Sequence, residues 1–208
     1  MLLFCGRPLI LTDVLPHCNA LLNVWFPGSA GAEAIRMLVT GEMSPSGHLS
    51  MTFPRCVGQI PIHHDRLTSC RPIGSRGTGS RFVNMYIDES SEPLFPFGFG
   101  MSYTTFELED AQLDGSEVAV TVKNTGTEKA ETVVQLYGRV RHAAIIRPIR
   151  TLVGWKRVSV GAGEAVRVRI PIKRDALELA DCENRPVKIS GIADIYVGFD
   201  SNADTRLE

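Results

Sequence analysis

Residues 93–106 read PLFPFGFGMSYTTF. Four phenylalanines, two prolines and two glycines crowd into this stretch, which excludes a regular helix or strand. Two roles suit such a composition: an aromatic platform for a ligand, or a joint between two pieces of protein. The sequence on either side decides between them, because its pattern changes there.

Downstream the pattern is all-β. EVAVTVKNTG (117–126) alternates Val118, Val120 and Val122 with Ala119, Thr121 and Lys123 and then stops at a turn. ETVVQLYGRV, TLVGWKRVSV, AVRVRIPI and ADIYVGF repeat the alternation, with NTGTEK (124–129) and GAGE (161–164) as turns. Short alternating strands at regular spacing predict an antiparallel β-sandwich of immunoglobulin or fibronectin type III shape. No Cys–Trp–Cys pattern is present, which disfavours an antibody-type domain. Trp155 is expected in the core of this sandwich, with Leu152 as its neighbour, rather than on an exposed sugar platform.

Upstream the pattern is α/β. Residues 2–5 and 9–11 are apolar around Gly6-Arg7-Pro8, predicting a buried strand that turns at Gly6. Residues 13–22 read as helical or irregular, and Ala20 to Trp25 as a second short buried strand. After the breaker PGSAG (27–31), Ile35, Leu38 and Val39 fall at helical spacing and Gly41 stops the helix. SPSGHLSMTFP is expected to form a turn and a short strand. These units are too few to close a parallel sheet, so the region reads as the fragment of a domain. Residues 66–92 lose all periodicity and alternate glycine with serine, arginine and threonine, as a long linker or functional loop does.

Composition narrows the function classes. The 208 residues carry 22 Lys+Arg against 23 Asp+Glu, a formal net charge of -1, with no basic run to mark a nucleic-acid partner. No apolar stretch reaches the roughly 20 residues of a membrane-spanning helix, so a soluble protein is expected. The start MLLFCGRPLILTDVL lacks a basic leader region and reads as a strand, not as a signal peptide. The five cysteines (Cys5, Cys18, Cys56, Cys70, Cys182) are odd in number and form no CxxC pair, so thiols are expected rather than disulfides or zinc. His63, His64 and Asp65, near Cys56 and Cys70, are the only apparent metal candidates. Adjacent histidines on a strand point to opposite faces, so no metal site is expected, and no cofactor.

Several segments together resemble the family 3 glycoside hydrolases, in particular bacterial periplasmic β-glucosidases. CGRPLIL, NVWFPG, GEMSPSG and HLSMTFPRCVGQIPI resemble the closing segment of that family's α/β sandwich domain. EPLFPFGFGMSYTTFE resembles its junction into a fibronectin type III-like domain, and VTVKNTGTEKAETVVQLYGRV, RPIRTLVGWKRVSVGAGE and ADIYVGF resemble the strands of that domain. The resemblance is collinear and covers essentially the whole chain. It implies an α/β fragment, the end of an α/β sandwich domain, over residues 1–65. A linker and interdomain joint would follow over 66–102, and an all-β fibronectin type III-like β-sandwich over 103–208.

The resemblance further implies retaining hydrolysis of β-glycosides by two carboxylates about 5 Å apart. In the family the nucleophile is an aspartate of an N-terminal barrel, and the acid/base is a glutamate upstream of the GRP strand. No segment here matches either, so no catalytic residue is assigned. The isolated chain is expected to be inactive and to support a site formed mostly by missing barrel and sandwich segments. Glu33 and Glu42 read as solvent-facing positions at the ends of the short helix. Arg7, Phe82, Tyr86 and Asp88 are the candidates for a place near the substrate cleft: Arg7 follows the first strand, and the others lie on the linker. Trp25 is expected to be packed rather than to stack on sugar. The sequence departs from the family at Ser29-Ala30-Gly31, at His63-His64 and at Cys70-Arg71-Pro72. By resemblance the location is periplasmic or secreted. The substrate would be a β-glycoside or oligosaccharide, engaged only by the full enzyme. The alternative reading is a stand-alone β-sandwich that binds carbohydrate or protein.

Overall fold

The computed structural model describes residues 1–67, 83, 85–141, 146–187 and 193–207. At the start, β1 (Leu2–Phe4) and β2 (Leu21–Asn23) pair in parallel, with Leu2 opposite Leu21 and Phe4 opposite Asn23. The apolar run ends at Gly6, whose φ of +87° is the left-handed turn that a glycine takes without strain. Of the two strands only Phe4 is fully buried, and Leu3 is 41% exposed. The expected burial of this pair is therefore only partial.

Helix α1 (Gly31–Thr40) follows the breaker, and Gly41, at φ +78°, closes it with an N–H to Leu38 O. Ile35 and Leu38 are half-buried as the spacing predicts, whereas Val39 is 52% exposed. Around Phe53, which is fully buried, Phe4 and Leu11 form a small apolar cluster with Trp25, Leu49 and Phe95 at its margin. The strand expected in SPSGHLSMTFP does not form. Residues 49–53 instead exchange isolated hydrogen bonds with 94–99, among them Phe53 N to Phe95 O at 2.9 Å and Gly98 N to Leu49 O at 2.7 Å. Pro54 ends one side of this pairing and Pro96 interrupts the other, because proline cannot donate to a ladder.

The rest is a two-sheet sandwich. β3 (Phe106–Asp114), β4 (Glu117–Asn124) and β7 (Ala165–Pro171) form one sheet. β5 (Ala130–Val140), β6 (Thr151–Val160), β10 (Ala193–Gly198) and β11 (Thr205–Leu207) form the other, in the order β11-β10-β5-β6. A two-residue pair, β8 (Leu179–Ala180) and β9 (Pro186–Val187), stands apart. Alternation fixes the register: Val120 faces Val168 and Val118 faces Ile170, and these side chains meet Val134 and Leu136 of the facing sheet in one core. The opposite parity of β7 turns Arg169 outward onto Asp114 and Glu117.

Trp155 departs from expectation, being 57% exposed. Val158 and Val160 face the core opposite Thr132 and Ala130, so two-residue periodicity turns Trp155 outward beside Gln135. A bulge at Val153 shifts the phase, and Leu152, opposite Tyr137, also falls on the outer face. Replacing Trp155 by threonine is therefore expected to cost under about 1 kcal/mol in urea unfolding, against roughly 3–5 kcal/mol for a buried tryptophan. A loss in the second range would restore a core role.

Candidate functional site

The carboxyl ends of parallel strands are where open α/β sheets receive ligands. Here those ends carry Gly6-Arg7 after β1 and Trp25-Phe26 after β2, tied by Gly6 N to Trp25 O at 2.8 Å. Trp25 has φ +48°, a left-handed conformation uncommon for a bulky residue. Its N–H bonds Asn23 Oδ1 at 3.1 Å, and its ring meets Phe53 edge-on at 6.1 Å. Trp25 is thus packed, while Phe26 beside it is 84% exposed. Among the described residues the buried Asn23 Nδ2 donor meets no acceptor, a costly state for an amide.

Three of the four sequence candidates, Arg7, Tyr86 and Asp88, lie among the described residues. Arg7 is exposed at the strand end. Tyr86 and Asp88 are exposed on the linker, where the Tyr86 N–H reaches Ser91 Oγ at 3.4 Å. No hydrogen bond or ion pair joins Arg7 to Tyr86 or Asp88 among the described residues, and Phe82 lies outside them. The linker's return is organised by Gln59, a residue of the GQIP motif to which sequence reasoning gave no role. Gln59 is 2% exposed, accepts from Arg55 N at 2.6 Å and donates to Ser90 O at 2.7 Å.

The carboxylates with displaced pKa values are the wrong kind for a general acid. Glu33 and Glu42 both bind Arg36, which lowers their pKa; Asp181 is lowered by the Arg185 backbone N–H. A general acid of the glycosidase type needs the opposite displacement, by burial or a neighbouring anion. Among the described residues no group of three or more His, Cys, Asp or Glu is placed to hold a metal ion. His63 is exposed, whereas His64 is half-buried and stacks on Phe97 with ring centroids 4.1 Å apart. No described helix is long and apolar enough to cross a membrane.

The aromatic stretch is spent on packing. Phe95 stacks on Phe99 at 5.1 Å and meets Phe53 edge-on, while Phe97 covers His64, which in turn meets Tyr137 of β5 at 6.1 Å. Phe106 instead opens β3 and packs against the sandwich core near Phe199. Polar contacts run beside the rings. Gly98 O accepts from Gln135 Nε2 at 3.0 Å, Ser201 N donates to Phe97 O at 2.9 Å, and the Tyr103 hydroxyl reaches Leu38 O of α1 at 2.6 Å. The stretch therefore touches both the first apolar cluster and the sandwich.

Comparison with known proteins agrees on one family. The family model described as "Glycosyl hydrolase family 3 C-terminal domain" matches residues 1–103, and the "Fibronectin type III-like domain" model matches residues 132–201. A periplasmic beta-glucosidase of Salmonella typhimurium is 35% identical over 97% of this chain, which covers 27% of that protein. A beta-xylosidase of Formosa agariphila is 34% identical over 98% of the chain, covering 28% of its own length. Among solved structures, the beta-glucosidase of Listeria innocua in complex with gluconolactone superposes with a TM-score of 0.87 at 31% identity, over 99% of this chain and 30% of that one. The chain thus spans less than a third of the length of these relatives and matches their C-terminal portion.

Proposed function

The chain belongs to glycosyl hydrolase family 3, as its C-terminal portion, and from this we propose that it is the bracing part of a β-glucosidase-like hydrolase. In this reading residues 1–65 complete the α/β sandwich domain, 66–102 form linker and joint, and 103–208 form the β-sandwich that buttresses them. The substrate is a β-glycoside, bound by the assembled enzyme. The name of the Salmonella relative supports a periplasmic or secreted location.

One observation carries the reading: an unfinished parallel pair sits beside a sandwich with a closed core. Parallel strands are normally covered on both faces, and a pair is too small to be stable alone. Leu3, Phe26 and Val39 are exposed, as expected of a surface that further protein covers. Arg7, Tyr86 and Asp88 remain candidates for the rim of the assembled cleft.

A chimera tests this. The upstream portion of the Salmonella enzyme, joined to this chain in place of its own C-terminal portion, is expected to hydrolyse nitrophenyl β-glucoside. The isolated chain and the truncated Salmonella enzyme are expected not to. Turnover by the isolated chain, or a folded but inert chimera, would overturn the proposal. Saturable glycan binding by the isolated chain would favour the stand-alone module instead.

A further inference from the structure

Two histidines close the joint, and the contacts of each fit a neutral ring. β10 pairs with β5 only as far as Gln135 opposite Gly198, so the Val133 N–H beyond that point has lost its strand partner. His48 Nε2 takes the vacant place and accepts the Val133 N–H at 3.3 Å. A backbone N–H can only donate, so Nε2 must be unprotonated and the proton must sit on Nδ1. That proton points at Gly98 O, 2.5 Å away, a bond the other tautomer could not make. Adding a second proton would set Nε2–H against Val133 N–H.

His64 is neutral for a different reason. Its ring lies between Phe97 and Tyr137, and burial lowers its pKa; Asp65 opposes this and His63 adds to it. Tyr137 is fully buried and gives its hydroxyl proton to Gln135 Oε1 at 2.6 Å. Asp200 and Arg150 are the charged groups that act on Tyr137 from the sandwich side. On the His48 side Arg157 bonds Ser46 Oγ and Glu131. Neither Arg157 nor Glu131 bonds the imidazole.

We propose that His48 and His64 form a pH-sensitive latch between the α/β segment and the β-sandwich, closed while both rings are neutral and released as the medium turns mildly acidic. The sign follows from linkage. At His64 the folded joint binds fewer protons than the open one, so this contribution to its stability rises with pH. The His64 contribution is complete above the unfolded value near pH 6.5 and is lost as pH falls through the window below it. The latch rests on the joint alone, so it is tested on the 208-residue chain whether or not the chimera is active.

Amide hydrogen exchange reads the latch at a single proton. Between pH 7.5 and pH 5.0 the protection factor of Val133, corrected for intrinsic exchange, is expected to fall at least tenfold. That of Val120 in the facing sheet should hold. In the double variant His48→Gln, His64→Phe the fall should vanish, because neither replacement titrates. An unchanged Val133 protection factor in the parent chain, or the same fall in the double variant, would overturn the latch. Imidazole ¹⁵N shifts of the parent chain give an independent check should the double variant not fold. They are expected to show His48 as the Nδ1–H tautomer at neutral pH, and an Nε2–H tautomer would also overturn it.

Discussion

Replacing Gly98 by alanine is expected to destabilise the chain by about 3–5 kcal/mol and to loosen the α/β segment from the sandwich. Two costs add. Gly98 has φ +82°, where a β-carbon costs roughly 1–2 kcal/mol. The new β-carbon would also lie 2.1 Å from Gln135 Oε1 and 2.8 Å from its Cδ, so the side chain must move. That side chain is buried and fully engaged, donating to Gly98 O and to Phe199 O at 2.6 Å and accepting from Tyr137. Breaking two of these bonds inside the joint adds roughly 2–3 kcal/mol in all, the low end of the usual cost per orphaned group, because the moved side chain re-forms part of its bonding. Urea unfolding of the variant measures the sum, and Gly98→Ala with Gln135→Ala separates its parts. If the collision matters, the double variant is less destabilised than the two single losses combined. A loss under about 1 kcal/mol for Gly98→Ala would show that neither cost operates.

This joint shows how far the sequence could be read. Its composition announced an irregular aromatic path, and Phe95, Phe97 and Phe99 do fill a contact. The partners were not announced. Gln135 sits in the middle of an alternating strand and looks like any outward polar residue; its role arises 37 residues away at Gly98. His48 lies in SPSGHL, where no periodicity marks it, and acts on Val133, 85 residues distant. Hydrogen bonds of such separation leave no local pattern. The sandwich strands were legible because alternation is a local consequence of the pleat. Trp155 was misassigned because Leu152, taken as its core neighbour, lies beyond the Val153 bulge on the outer face, and the parity of Val158 and Val160 turns Trp155 outward. The candidates Arg7, Tyr86 and Asp88 rested on resemblance and loop position, and neither fixes where a side chain points.

The second large effect is expected inside the sandwich, at Asn124. This side chain is fully buried at the end of β4 and has no idle capacity. Its Oδ1 accepts from Thr104 Oγ1 at 2.5 Å and from Gly126 N at 3.0 Å; its Nδ2 donates to Glu128 O at 2.7 Å and to Val160 O at 3.1 Å. One amide therefore ties the end of the joint, the β4–β5 turn and the end of β6. Asn124→Ala should cost about 3–5 kcal/mol, since each stranded buried group costs roughly 1–3 kcal/mol and water replaces some of the bonds. Asn124→Asp distinguishes the network from mere volume. An aspartate keeps both acceptor bonds but turns a carboxylate oxygen toward the Glu128 and Val160 carbonyls, which only a protonated carboxyl could satisfy. Its folded pKa would rise above the usual value near 3.9, so the folded state would bind the extra proton and lose stability as pH increases. The deficit of Asn124→Asp is thus expected to grow between pH 4 and pH 7 while that of Asn124→Ala stays level. Parallel pH profiles for the two variants would mean that the carbonyls do not require a donor at this position.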